Sequence, residues 1–324
     1  MKRRGVLHAA ACAPWASLLA GCQRAADAPE AETLRLAIDL WPGYLPGVLA
    51  DELGWLSPAG IQLKVFYPGD TDKMLADFVA GRYDVMGASL GDIFTISRGH
   101  LAVKVIAITD ESAGGDMVLA RRGLKLRPDG HYTIATNLGG FGELFLQEFI
   151  RRRQLGSARW SWVNADGAEV QQLLASGKLD IGHTWDPYAS RAVAAGAQKL
   201  FSSLDTPGLV ADVLVATNAT IQRRARLLKL FLKFWFEAVD WWLAHPEEAR
   251  KLISRRVRIE PDRISLHGLQ LLDLAHDRQL MIGAQGRGPG VADVVQRYSD
   301  FFIEKGSAVR PLGAADLLEA GLLP

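Results

Sequence analysis

The side chains best equipped for chemistry stand where apolar runs give way to polar loops. They are the carboxylates Asp39, Asp92, Asp110, Glu111, Asp116, Glu143 and Asp186, the rings Trp41, Tyr44, Trp185 and Tyr188, the hydroxyl of Ser89, and His183 as the one obvious basic neighbour. Ser89 lies in GASLG, residues 87–91, which fits the G-x-S-x-G turn that lifts a nucleophilic serine between a strand and a helix. A serine hydrolase also needs an acid and then a histidine on later strand-end loops. His245, His267 and His276 fall in stretches that read as helical, and His183 has no acid-then-histidine order after it. Gly and Ser at a strand end more simply offer N–H groups and a hydroxyl to a ligand at a helix N-terminus.

Other catalytic patterns fail at particular residues. NLGGFGELF has the first glycines of a dinucleotide loop, but Phe145 occupies the third position, and no P-loop lysine follows any glycine-rich run. The histidines lack metal-ligand spacing, so neither a cofactor nor a metal is implied. With a formal charge of +1 the chain carries no broad attraction to nucleic acid or acidic membranes.

The elements that must hold these residues come in two matching sets. GRYDVMGASLGD, Gly81 to Asp92, is echoed by GKLDIGHTWDPY, Gly177 to Tyr188. In each, a helical run ends at a glycine, an Asp follows (Asp84, Asp180), and a short strand leads to a loop that opens a new helix. Asp186 can cap that second helix with Pro187 at its first position. The pattern predicts two similar α/β lobes whose strand-end loops share a crevice.

In order, strands are expected at Leu34–Ile38, Ile61–Phe66, Asp84–Ala88, Val103–Thr109 and Met117–Ala120, with a polar loop from Asp110 to Asp116. Arg121–Gly130 is charged and turn-rich and reads as a crossing to a second lobe. There, strands are expected at Tyr132–Thr136, Trp160–Asn164, Asp180–Thr184 and Lys199–Ser202, and Asp212–Ala216 returns to the first lobe. From Ala219 the chain reads as helical to its end. Leu228, Phe231, Trp235, Ala238 and Trp242 form a stripe at helical spacing, a packing face rather than a cofactor box. The expected domains are thus 34–120 with 212–324, and 121–211 inserted between them; 324 residues suffice for two such lobes.

The first residues read as an export leader over 1–21. Lys2, Arg3 and Arg4 precede an apolar run too short for a confident membrane span, and Leu19 to Cys22, LAGC, resembles a bacterial lipobox with Cys22 as the lipidated thiol. The basic start is also similar to a twin-arginine signal. Cys12 lies within the leader, so no disulfide is expected in the mature chain, and residues 22–33 read as a tether.

These features together, with LRLAIDLWPGYLPGVLADELGWL, PGDTDKMLADFVAGRYDVMGAS, TWDPYASRAVAAGAQKLF and ADVLVAT, resemble the solute-binding proteins of nitrate/sulfonate/taurine-type ABC importers, a family that includes binders of thiamine-pyrimidine precursors. The resemblance implies a type II periplasmic-binding-protein fold, no enzymatic activity, and a monomer that is lipid-anchored outside the cytoplasm and hands a small solute to a membrane permease. It also implies ligand contacts from Trp41, Tyr44, Ser89, Asp92, Asp110, Ser112, Asp116, Asn137, Gly139, Gly140, Trp185 and Asp186. A lipid-anchored sensor for a membrane receptor is the alternative within this fold. Pyrimidine-precursor synthases of the same fold are cytoplasmic and cysteine-rich, unlike this chain.

One departure concerns charge. Sulfonate and nitrate binders are expected to offer hydroxyls, amides and a basic group, whereas these loops are acidic. Closing a crevice over unpaired carboxylates costs several kcal/mol per charge. The residues therefore favour an amine-bearing or nitrogen-heterocyclic solute held against aromatic faces. Three residues carry a second reading: Asp186 as a helix cap, Asp116 as a bridge between lobes, and Tyr188 as core.

Overall fold

The repeated unit builds two sheets of the same plan. A computed structural model describes residues 31–97, 103–283, 291–306 and 310–324; the leader, Cys22 and most of the tether lie outside them. In chain order the strands are β1 (Glu32–Ala37), β2 (Ile61–Phe66), β3 (Val85–Ser89), β4 (Val103–Ser112), β5 (Asp116–Ala120), β6 (His131–Thr136), β7 (Arg159–Asn164), β8 (Ile181–Trp185), β9 (Gln198–Ser202), β10 (Ala211–Thr217) and β11 (Leu269–Leu271). The helices are α1 (Pro46–Glu52), α2 (Thr71–Val79), α3 (Leu90–Ser97), α4 (Phe141–Arg152), α5 (Gly167–Ala175), α6 (Tyr188–Ala194), α7 (Asn218–Ala244), α8 (Pro246–Val257), α9 (Leu274–Gly283), α10 (Ala292–Glu304) and α11 (Ala314–Leu317).

The first sheet runs β11-β4-β10-β3-β1-β2 and the second β7-β6-β8-β5-β9. In each, three parallel strands (β2, β1, β3; β7, β6, β8) meet one antiparallel strand that has crossed from the other half, β10 in the first sheet and β5 in the second. The repeated glycines act as read from the sequence. Gly81 (φ +75°) and Gly177 (φ +70°) follow α2 and α5 in the left-handed conformation that turns the chain into the next strand.

Four expectations are corrected. β5, expected to close the first lobe, pairs with β8 and β9 in the second sheet, because Val118 and Leu119 are buried between those strands. The chain therefore crosses at 112–116, and Arg121–Gly130 is a surface connection within the second half. The polar loop from Asp110 begins late: β4 continues through Asp110 and Glu111 to Ser112, since β10 and β11 supply ladder partners on either side. β11 itself interrupts the expected helical tail, and His267 lies in the turn before it rather than in a helix. Finally, α6 starts at Tyr188, one residue after Pro187, although Asp186 Oδ1 does accept the Ser190 N–H at 2.9 Å in a capping contact.

The stripe on α7 is core: Leu228, Phe231, Trp235, Ala238 and Trp242 are all buried. α7 ends at Ala244 and α8 begins at Pro246, with His245 between them. No described helix is long and apolar enough to cross a membrane.

Candidate functional site

Both sheets aim the same ends at one crevice. Its inner part, about 130 Å³, is walled by Asp39, Trp41 and Tyr44 after β1, Ser89 and Asp92 at the β3–α3 turn, and Asp116 at the start of β5. Thr136, Asn137, Gly140, Phe141 and Gly142 from the β6–α4 turn, His183 and Trp185 of β8, and Asp212 of β10 complete it. A wider outer crevice of about 680 Å³ shares Asp39, Trp41, Met74 and Trp185 as walls and continues past Asp166, Asp186, Tyr188, Arg191, Arg263 and His267.

The lobe symmetry places two carboxylates alike. Asp116 opens β5 opposite Trp185, the last residue of β8; Asp212 lies near the start of β10 opposite Ser89, the last residue of β3. Asp116 Oδ1 is 2.9 Å from His183 Nε2, and His183 Nδ1 is 3.1 Å from Thr136 Oγ1, so both ring nitrogens are engaged. Asp212 instead accepts a short hydrogen bond from the Tyr44 hydroxyl. Burial first, and then the neighbouring Asp212 carboxyl, keep that phenol protonated and hence a donor.

Below this pair lies Asp110, fully buried. It accepts from Trp41 Nε1 at 3.0 Å and from Thr109 Oγ1 at 2.9 Å. The close fit over it depends on Gly43, where a Cβ would come 1.7 Å from Asp110 Oδ2. Among the described residues no cation reaches Asp110, and desolvation, opposed by those two hydrogen bonds and reinforced by Asp116 and Asp39, raises its carboxyl to about 7. Burial and the neighbouring Asp110 push Asp212 well above the carboxylate range. Asp39 accepts the Trp41 N–H at 2.7 Å and still meets solvent in the crevice; desolvation, opposed by that bond and aided by Asp92, lifts it less, to about 6. Asp92 is raised as well, chiefly by burial, while hydrogen bonds with Ser89 hold it down.

The expected ligand residues divide accordingly. Trp41, Tyr44, Ser89, Asp92, Asp116, Asn137, Gly140 and Trp185 come together around the inner cavity. Asp110 lies behind that wall, and Asp186 borders only the outer crevice, 3.5 Å from His267 Nδ1. Gly139 is turned away, its N–H given to Glu143 Oε2 at 2.9 Å. Ser112 is also away from the cavity: its hydroxyl sits 2.9 Å from Ser203 Oγ and accepts the Asp116 N–H, tying the two crossing segments together. Tyr188 faces the outer crevice rather than the core. Ser89 Oγ accepts the Asp92 N–H while the Ser89 N–H donates to Asp92 Oδ2, both at 3.2 Å, a reciprocal cap on α3 that involves no histidine. Asp212, Thr136 and Phe141 were not singled out from the sequence. Asp212 was within reach, because DVLVA at 212–216 repeats DMVLA at 116–120.

Among the described residues, four carboxyl groups line the inner cavity, from Asp39, Asp92, Asp116 and Asp212, with no lysine or arginine among its walls. Phe141, Trp185, Trp41 and Tyr44 add aromatic surface. Among the described residues no group of three or more His, Cys, Asp or Glu has the arrangement of a metal site.

Two α/β lobes around a shared crevice, each with an antiparallel strand lent by the crossing chain, define the periplasmic-binding-protein fold, and solved structures agree. The periplasmic aliphatic sulphonate binding protein SsuA from Escherichia coli superposes with a TM-score of 0.67 at 17% identity, covering 88% of this chain and 91% of that one. The alkanesulfonate-binding protein SsuA from Xanthomonas axonopodis pv. citri, bound to MOPS, gives 0.67 at 14% identity over 90% and 99%. The ligand-binding component of an ABC-type import system from Staphylococcus aureus, with zinc bound, gives 0.71 at 13% identity over 90% and 97%. The family model described as NMT1/THI5 like matches residues 41–249, and the chain belongs to that family. Comparison with curated proteins gives no match.

Proposed function

We propose that this chain is the extracytoplasmic solute-binding component of an ABC importer and that its solute is a small cation, an amine or a protonated nitrogen heterocycle. Family membership and the likeness to binding components of import systems support the role. The observation that carries the ligand class is the inner cavity's acidic lining: carboxyl groups at Asp39, Asp92, Asp116 and Asp212, of which Asp39, Asp92 and Asp212 are raised by burial and would ionise more readily against a cation, and one histidine already bonded to Asp116. A sulfonate there would meet no fixed cation among the described residues, whereas an ammonium replaces lost water with charge-assisted hydrogen bonds and aromatic faces. Size sets a limit, since about 130 Å³ is close to the cavity of roughly 150 Å³ that admits a single benzene ring.

In this reading residues 34–111 with 212–324 form one lobe and 116–211 the other. They close about the paired crossings, where Ser112 meets Ser203. The leader, lipidation at Cys22, a monomeric state and delivery to a permease complete the proposal.

Thermal melting of the protein against monoamines, aminopyrimidines, polyamines, taurine, alkanesulfonates and nitrate tests it. A ligand at about a hundred times its dissociation constant adds roughly 2.7 kcal/mol, a shift of several degrees. Shifts with amines or aminopyrimidines are expected, and shifts confined to sulfonates or nitrate would overturn the ligand class.

A further inference from the structure

Helix α4 carries two side-chain carboxylates that are nearly fully buried, Glu143 and Glu148, and each draws a cation from α10, in the C-terminal segment. α10 is seated on α3 of the first half of the molecule, where Phe302 and Tyr298 stack on Phe94, and the Tyr298 hydroxyl donates to Leu209 O in the segment that leads into β10. α4 belongs to the second half and begins directly after the loop 137–140, which contributes Asn137 and Gly140 to the inner cavity. The two ion pairs therefore join a helix fixed to one half with a helix that carries a cavity wall of the other.

The two pairs differ in what else they hold. Glu148 is overdetermined: Arg297 is 2.8 Å away, and Arg151 and Arg152 of its own helix approach to 2.6 and 2.5 Å. Burial opposes its ionisation, but those arginines hold its carboxyl down at about 2. Glu143 has one cation only among the described residues, Lys305 at the end of α10, bonded to Oε1. Its other oxygen, Oε2, accepts the Gly139 N–H at 2.9 Å. Gly139 has φ +79°, a left-handed backbone open to glycine, and its amide points at Glu143.

We propose that Glu143 and Lys305 are a positioning pair through which the C-terminal helix sets the loop 137–140, so that the shape of the solute cavity is controlled from a residue outside it. Lys305 fixes the Glu143 carboxylate, and the carboxylate fixes the Gly139 amide. Loss of Lys305 frees Glu143 to rotate toward solvent and releases the loop. The loop's contact with solute rests on the solute-binding reading, but the hydrogen-bond chain does not.

Amide hydrogen exchange on the full chain without ligand tests it. In Lys305→Met, exchange across 136–144 is expected to rise about tenfold, as for a local opening that has lost a charge-assisted hydrogen bond, while the strands β1 and β6 stay protected. Lys305→Arg should restore the loop, and Arg297→Met, which leaves Glu143 paired, should leave it as in wild type. Unchanged loop exchange in Lys305→Met overturns the proposal. So does a uniform rise over the whole protein that Lys305→Arg fails to rescue, since that would make the contact merely structural. A failed ligand screen on the wild-type protein would count against the solute class and leave this result untouched.

Discussion

The two ends of the sheets treat aspartate in opposite ways. At the entry to β3, Asp84 accepts from the Arg35 backbone at 2.9 Å and its guanidinium at 3.0 Å, and Arg224 Nη1 lies 2.8 Å away. At the entry to β8, Asp180 accepts from Arg121 at 2.8 Å and from the Thr133 N–H at 2.9 Å. Burial works against both charges, and these hydrogen bonds overcome it, so both carboxyls lie below their ordinary range. At the opposite end of the first sheet, Asp110 of β4 and Asp212 of β10, beside the exit of β3, have only neutral donors among the described residues, and burial raises their carboxyls. Desolvation opposes the charge at both ends; among the described residues an arginine answers it at only one. The chain meets the electrostatic cost where it needs a frame and leaves it standing where a ligand can meet it.

The sharpest way to break this contrast is to remove one carboxylate from each end. Asp84→Ala strands Arg35 and Arg224 and should cost about 3 kcal/mol, read from the urea midpoint. Asp212→Asn, which keeps an acceptor for Tyr44, should cost under about 1 kcal/mol or stabilise the unliganded protein. Equal losses would erase the distinction. Binding should reverse the order: Asp212→Asn is expected to weaken an amine probe by about tenfold or more, a loss of roughly 1.4 kcal/mol seen in calorimetry, while the scaffold carboxylates matter only through stability.

Acidity separates the two ends next. Amine affinity should fall as pH drops from 8 to 5, because Asp110 takes up a proton near 7 and Asp39 near 6 and both stop attracting a cation. The unliganded protein should respond the other way over that window. A carboxyl raised on folding binds more protons in the native state, so its contribution favours folding in acid and declines as pH rises toward the raised value. Asp84 and Asp180, lowered on folding, contribute above the unfolded value near 4 and lose that contribution below it.

The smallest effect comes from Asp277 of α9. It accepts the Ile108 N–H at 2.7 Å through Oδ1, its Oδ2 has no partner among the described residues, and burial raises it to about 7 against that one bond. Asp277→Asn keeps the acceptor and removes the titration. The melting temperature should rise by a few degrees at pH 8 and stay unchanged near pH 4.

Local pattern carried much of this architecture. Gly81 and Gly177 mark their turns, Ile61–Phe66 reads as a strand with the observed bounds, and the loops after β1, β3, β6 and β8 were identifiable because apolar runs of strand length stop abruptly there. What escaped depended on partners distant in sequence. β11 has three residues, too few to show alternation, and is a strand only because the end of β4 offers an edge. Ser112 looked like a loop hydroxyl because nothing near it in sequence announces Ser203. The same holds for Lys305 and Glu143, 162 residues apart. Asp212 is the instructive omission: the signal was present as a repeat of Asp116, and only the crossing of strands between the lobes gives the repeat its meaning.

The position of β10 also governs the order in which the molecule can assemble. The second sheet is drawn from one uninterrupted stretch, 116 to 202, whereas the first has β10 wedged between β3 and β4, both made more than a hundred residues earlier. As the chain emerges, the second lobe holds all its strands while the first remains a cleft sheet with two bare edges awaiting its centre. Contacts of such long range close slowly and leave strand edges open to other chains. For this protein the vulnerable interval of biogenesis runs from the completion of β4 to the arrival of residue 217, and a holding factor would have most to protect there.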